Sequence, residues 1–248
     1  MLTVIMINQS VLNLSESLKV NYDSAYPFPY VVIDNFLNEF VAKRIVGELK
    51  QYQHWSCDTT DEVKEYQINK YYTPDVFDLS TLEKLNRDCP ITKFTLDYLN
   101  SSETLYFLEK LTGIKSLVGD ETFLGGGIHR VLPGGKLGIH ADFNIQFKNN
   151  LHRRLNMLIY LNENWQDQWG GNLELWEKDM SKCCVQVKPI FNRAIIFRIT
   201  DDAFHGHPHP LNTPQGVDRY SLALYYYTED RPEHEKAPFH PVVWKTPR

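Results

Sequence analysis

From about residue 119 to 232 the chain is cut into short runs, and none has the length or the 3.6-residue period of a helix. Eight strand-like runs can be counted, at about 122–131, 136–143, 153–162, 171–177, 183–188, 193–200, 204–209 and 219–228. Turn-forming residues separate them, among them Pro133-Gly134-Gly135, Asn149-Asn150, Gly170-Gly171 and Pro214-Gln215-Gly216. Parallel strands need crossover connections of a dozen or more residues, usually helical, and this stretch has none. The pattern predicts two antiparallel sheets folded into a sandwich or open barrel.

The first 118 residues read differently. Residues 1–26 suggest an irregular lead or an edge strand, and 27–37 a strand that ends in a polar break. Helix is expected from about Asn38, a candidate cap, with Val41, Ile45 and Leu49 on one face. Ser80-Thr81-Leu82-Glu83 has the pattern of a capping box, Pro90 opens a further helix, and another begins after Ser101 and stops at Gly113. The intervening segment 55–78 mixes Tyr66, Tyr71, Tyr72 and Phe77 with charges, which suits a lid or substrate wall and a pinned surface loop equally well. The organisation expected is one structural domain of α+β class, mainly β: an N-terminal strand and helical support at 1–118, a core at 119–232, and an extended tail at 233–248 packed back on it.

At 248 residues, with 42% hydrophobic and 23% charged, the chain can bury a core and is not compositionally disordered. A formal charge of −5 argues against a nucleic-acid partner, since phosphate binding wants a basic face. Cys57, Cys89, Cys183 and Cys184 show no C-x-x-C spacing and read as ordinary thiols of a reducing compartment. The apolar start, 1–7, has no basic residue before Lys19 and no cleavage signature, so it is not read as a signal peptide. No apolar run approaches the roughly 20 residues a spanning helix requires. The expectation is a soluble, cytoplasmic protein that meets neither membrane nor nucleic acid.

The chemistry-bearing residues lie in the β-rich part. In His140-Ala141-Asp142 the i, i+2 spacing of a strand sends the imidazole and the carboxylate to one face. His205, His207 and His209 alternate in the same way, and spacing alone does not choose among them. Two histidines and one carboxylate brought together from separate strands make a facial metal triad with open positions, the arrangement of non-haem Fe(II) oxygenases. Arg219 opens the last run with Ser221 on its own face; a buried arginine needs a partner, and its fork matches a carboxylate.

These residues sit in a longer ordered series: 132–142 (Leu-Pro-Gly-Gly-Lys-Leu-Gly-Ile-His-Ala-Asp), 154–162, Trp169-Gly170-Gly171, 189–197, His205-Gly206 and 219–225. In that order they resemble the 2-oxoglutarate- and Fe(II)-dependent oxygenases of the prolyl-hydroxylase-like branch, over residues 119–232, and 28–37 resembles the start of such domains. The resemblance implies a double-stranded β-helix (a jelly-roll, cupin-like fold) with supporting helices. It implies Fe(II) held by His140, Asp142 and His205, with His207 the runner-up for the third place. Arg219, assisted by Ser221 and Tyr160, would hold the distal carboxylate of 2-oxoglutarate; a core tyrosine is the plainer reading of Tyr160. O2 is the further co-substrate implied and ascorbate a candidate reductant. The reaction would hydroxylate an unactivated C–H bond of a prolyl or peptide side chain or of a small amino-acid-like metabolite, releasing succinate and CO2.

One departure stands out. Many relatives carry a tyrosine just before the Pro-Gly of this series, and here that position is Leu132, with His129 and Arg130 nearby on opposite faces. Asp142 also matters, because related halogenases leave the carboxylate position empty for halide. The competing readings are a non-catalytic metal-binding β-barrel module and a zinc hydrolase, and in the latter Arg219 and Ser221 lose their purpose.

Overall fold

The computed structural model describes residues 6–57, 67–72, 79–120 and 122–246. The long helix α3, Glu39–Gln51, starts where Asn38 accepts the backbone N–H groups of Phe40 and Val41, at 3.0 and 3.4 Å. Its apolar face buries Val41, Ala42, Ile45, Val46 and Leu49. α4 spans Leu79–Asp88, α5 Pro90–Leu99 and α6 Ser102–Thr112. Glu48 of α3 reaches across to accept the Ile91 and Thr92 amides at 2.9 and 2.8 Å, placing a carboxylate on the open N-terminus of α5.

Two expectations for this half are corrected. Residues 9–12 and 15–24 are helical (α1, Gln9–Leu12; α2, Ser15–Ser24) rather than an irregular lead or edge strand. Ser80 lies inside α4 rather than capping it. Of the ambiguous 55–78 segment, Gln67–Tyr72 forms strand β2, and residues 58–66 and 73–78 lie outside the described residues.

The strands join in one antiparallel order. With β1 at Tyr30–Ile33, β4 at Gly127–Ala141, β6 at Leu151–Tyr160, β7 at Leu173–Trp176, β8 at Cys183–Val187, β9 at Arg193–Arg198, β10 at His205–His207 and β11 at Arg219–Thr228, it runs β1-β9-β6-β11-β4-β10-β7-β8. The short strands β3 (Val118–Gly119) and β5 (Ile145–Gln146) extend β11 and β6, and β12 (Val243–Lys245) pairs with the end of β4. This is the mainly β, jelly-roll architecture expected, with the helices against one face.

The two runs 122–131 and 136–143 are a single strand, β4. Its ladder to β11 ends at Val131 and its ladder to β10 begins at Leu137. Pro133-Gly134-Gly135 therefore lies inside β4, where its partner changes from β11 to β10, and is not a turn. It is held by hydrogen bonds between Gly134 N–H and Leu211 O and between Leu211 N–H and Gly135 O, at 2.8 and 3.0 Å.

Alternation divides the core in two. Leu222, Leu224 and Tyr226 of β11, with Leu155, Met157 and Ile159 of β6, pack against the helices. The opposite face, with Tyr160, Leu173, Leu175, Ile195 and Phe197, fills one end of the space that the sheet encloses. The other end of that space is polar, and it holds the candidate site.

Candidate metal centre and its cavity

His140 lies near the end of β4 and Asp142 just past it, while β10 pairs His205 directly with His140. Strand alternation and this register bring the three side chains together. Each offers one ligand atom, and these atoms all lie within 4.8 Å of one another. His140 Nε2 is 3.6 Å from Asp142 Oδ1 and His205 Nε2 is 3.5 Å from Oδ2, with all three residues buried.

The backbone selects the imidazole tautomers. His140 Nδ1 is 2.9 Å from Gly138 O and His205 Nδ1 2.9 Å from Ala203 O. A carbonyl only accepts, so each Nδ1 carries the hydrogen and each Nε2 turns a lone pair toward Asp142. Burial, followed by the neighbouring His140, lowers His205 to about 4, so its ring is neutral as metal binding requires. Two imidazole nitrogens and one carboxylate, buried on one side and facing a cavity on the other, fit a facial Fe(II) site.

Asp142 is held from behind. Asn156 donates its amide to Oδ2 at 2.8 Å, and Arg153 Nη2 lies 3.0 Å from the same oxygen. Arg153 is 1% exposed, donates to Asn156 Oδ1 through Nε and Nη2, and its guanidinium lies 3.5 Å from the Tyr225 ring centroid. Burial would raise the carboxyl of Asp142, but Arg153 and the two histidines hold it well below the ordinary carboxylate range.

The cavity occupies about 540 Å³. Arg219 and Ser221 line it, as expected of residues i and i+2 on β11. Arg219 Nε donates to Gly171 O at 2.9 Å, a contact that needs glycine, since a Cβ on Gly171 would fall 2.5 Å from Leu211 and 3.2 Å from Arg219. Tyr160 is absent from the lining; its ring lies under the guanidinium at 4.9 Å and its buried hydroxyl has no hydrogen-bond partner. Burial pushes Arg219 down and Tyr160 up, and each opposes the shift of the other. A cation, the Ser221 hydroxyl and the open side of the triad thus meet one cavity, which suits a dicarboxylate.

Of the three alternating histidines, His207 lines the cavity but stands outside the triad, and His209 is 80% exposed beside Glu174. Leu132 is absent from the lining, where Val131 and His129 face inward, and Arg130 points away to pair with Asp218. Sequence reading missed Arg153, Asn156, Lys70 of β2 and Trp244, all on the cavity wall. Asn156 was within reach of the alternation that selects Tyr160. Trp244 carried no signal, yet β12 brings its ring to 5.0 Å from that of His140.

Residues 126–227 match the family model described as the 2OG-Fe(II) oxygenase superfamily. No curated protein matches the chain. Among solved structures it is similar to a prolyl hydroxylase from Trichoplax adhaerens in complex with a hypoxia inducible factor oxygen degradation domain peptide fragment, at 21% identity and a TM-score of 0.57, covering 89% of this chain and 92% of that one. A Pseudomonas putida prolyl-4-hydroxylase gives 16% and 0.50, covering 85% and 98%. HygX from Streptomyces hygroscopicus, with nickel, 2-oxoglutarate and hygromycin B bound, gives 12% and 0.56, covering 91% and 96%. At these identities the likenesses show the fold.

Proposed function

We propose that this chain is a 2-oxoglutarate- and Fe(II)-dependent dioxygenase, a hydroxylase of the prolyl-hydroxylase-like type. It would convert an unactivated C–H bond of its substrate to C–OH, with one molecule each of O2 and 2-oxoglutarate consumed and succinate and CO2 released. The observation that carries the reading is the meeting of His140, Asp142 and His205 with Arg219 around one cavity.

His140, Asp142 and His205 are the proposed metal ligands, and Arg219, with Ser221 beside it and Tyr160 beneath, the proposed seat of the distal carboxylate. The metal supplies the redox chemistry that divides O2 between succinate and the substrate. The chain binds and orients. Its backbone carbonyls fix the imidazoles with Nε2 forward, and Arg219 aligns the co-substrate by one end. Leu158, Leu173 and Val131 on the wall limit the water that reaches it. The carboxylate of Asp142 favours hydroxylation over halogenation, which would need that position free.

The substrate proposed is a prolyl side chain in a peptide or a small amino-acid-like metabolite. Of the similar structures, one holds a peptide fragment and another hygromycin B, so both sizes belong in the test. Catalysis is assigned to 119–232, with 1–118 as support and 233–248 as a wall-forming tail of one structural domain. Among the described residues no helix is long and apolar enough to cross a membrane. Four free cysteines favour a reducing compartment, and we propose the cytoplasm.

The test is succinate formation from 2-oxoglutarate with Fe(II), ascorbate and O2 across peptide and metabolite candidates. Asp142→Ala should abolish turnover, and Arg219→Ala should raise the 2-oxoglutarate concentration needed by about tenfold or more. Full activity in Asp142→Ala would overturn the assignment. Tight Zn(II) binding without any turnover would favour the non-catalytic module.

A further inference from the structure

We propose that Arg153 and Asn156 are positioning residues that force Asp142 to bind metal through Oδ1 alone, and so keep a coordination position open for the reaction. The inference rests on the hydroxylase reading above and concerns how this chain's own side chains make that site usable.

A carboxylate oxygen has about two lone-pair sites. Asp142 Oδ2 accepts the Asn156 amide at 2.8 Å and is ion-paired with Arg153 Nη2 at 3.0 Å. Both oxygens lie near a triad nitrogen, Oδ1 3.6 Å from His140 Nε2 and Oδ2 3.5 Å from His205 Nε2, but only Oδ2 also holds the amide and the guanidinium. The clamp is itself braced. Arg153 donates twice to Asn156 Oδ1, at 3.0 and 2.8 Å, so neither residue can leave Oδ2 without breaking its bond to the other. The guanidinium lies over the rings of Tyr225 and Phe143, at 3.5 and 4.6 Å from their centroids.

Coordination counting gives the clamp its purpose. An octahedral metal has six positions, and a facial triad of single-point ligands leaves half of them free. Chelation by a 2-oxo acid takes two, and O2 needs the last. A carboxylate that swung to bind through both oxygens would occupy one of these and compete with the chelate. Arg153 also carries a charge of the same sign as the metal, so Coulomb repulsion between them opposes metal binding. Its place there is better explained by geometry than by affinity.

The experiment compares wild type with Arg153→Gln, Arg153→Lys and Asn156→Ala, measuring Ni(II) affinity, 2-oxoglutarate affinity of the Ni(II)-loaded protein, and the visible spectrum of the Co(II)-loaded protein. Loss of an outer-shell partner commonly costs about 10–100-fold. Here that loss should fall on 2-oxoglutarate in Arg153→Gln and Asn156→Ala, with Ni(II) affinity held or raised and the Co(II) spectrum altered before co-substrate is added. Arg153→Lys, which keeps the charge and loses the fork, should be intermediate. Equal losses for metal and co-substrate, or an unchanged Co(II) spectrum, would overturn the clamp. Asn156→Ala leaves no buried charge unpaired, so it decides the matter even if Arg153→Gln does not fold. Failure of the wild type to bind 2-oxoglutarate at all would instead remove the hydroxylase reading.

Discussion

His205 and His207 sit two residues apart on the same short strand, both buried, and only one belongs to the triad. His205 has its Nδ1 bonded to Ala203 O, whereas His207 Nδ1 has no hydrogen-bond partner. Burial, with Arg219 and Lys70 close by, holds His207 well below its ordinary value, so it is a neutral ring that costs folding energy. His205→Leu should therefore lower Ni(II) affinity by at least about tenfold, while His207→Leu leaves it unchanged and alters stability by only ~0–1 kcal/mol, in the stabilising direction. Calorimetric titration of the two variants checks this, and a loss in His207→Leu comparable to that in His205→Leu would exchange their roles. His140, Asp142 and Arg219 were legible because alternation on a strand is local and regular. Arg153 was not. The β6–β11 register shifts between Leu155 and Arg153, so the residue that simple alternation sends to the helices turns inward beneath Asp142. A bulge of this kind has no composition of its own here.

At the scale of elements, the site depends on how closely β10 approaches β4. A Cβ on Gly206 would meet Gly138 O at 2.5 Å, Gly138 C at 2.9 Å and Leu137 O at 2.9 Å, all backbone atoms that cannot rotate away. Gly206→Ala should push β10 off the strand that carries His140, costing about 1–3 kcal/mol. The same displacement parts His205 from Asp142, so metal affinity should fall by about tenfold or more. Denaturant midpoints and Ni(II) titration measure the two effects, and a variant with wild-type values for both would refute this account of the glycine. The small residue after His205, first noted as a family mark, thus has a steric reason. Other elements were hidden from pattern reading for physical causes. β4 was read as two strands because Pro-Gly-Gly ordinarily turns a chain, and only its partners, β11 before and β10 after, show that the strand runs on. β2 and β12 are polar or short, and their ladders to β4 define them more than their residues do. α2 buries only Tyr22, too little periodicity to stand out.

For the molecule as a whole, the polar end of the core links folding to pH. His129, His205 and His207 are all buried, and burial is the largest cause holding each below the ordinary imidazole value. In the unfolded chain these rings take up protons near the ordinary value of about 6.5. The folded chain refuses those protons until the pH is much lower, so below that value the unfolded state binds more of them and stability falls with pH. Asp142 works in the same direction at lower pH, since its carboxyl is held well below the ordinary range and its contribution is lost on protonation. His205 alone, lowered from 6.5 to about 4, should remove on the order of 2 kcal/mol between pH 7.5 and pH 5 in the metal-free protein. Urea midpoints of chelator-treated protein at pH 7.5, 6 and 5 should therefore decline steadily, and His207→Leu should show a shallower decline because it has one fewer ring to protonate. Equal midpoints at pH 7.5 and 5 would mean that the imidazoles are not held neutral. Since a divalent metal also requires His140 and His205 unprotonated, the metal-loaded protein should lose stability more steeply than the metal-free one where its ligands begin to take protons.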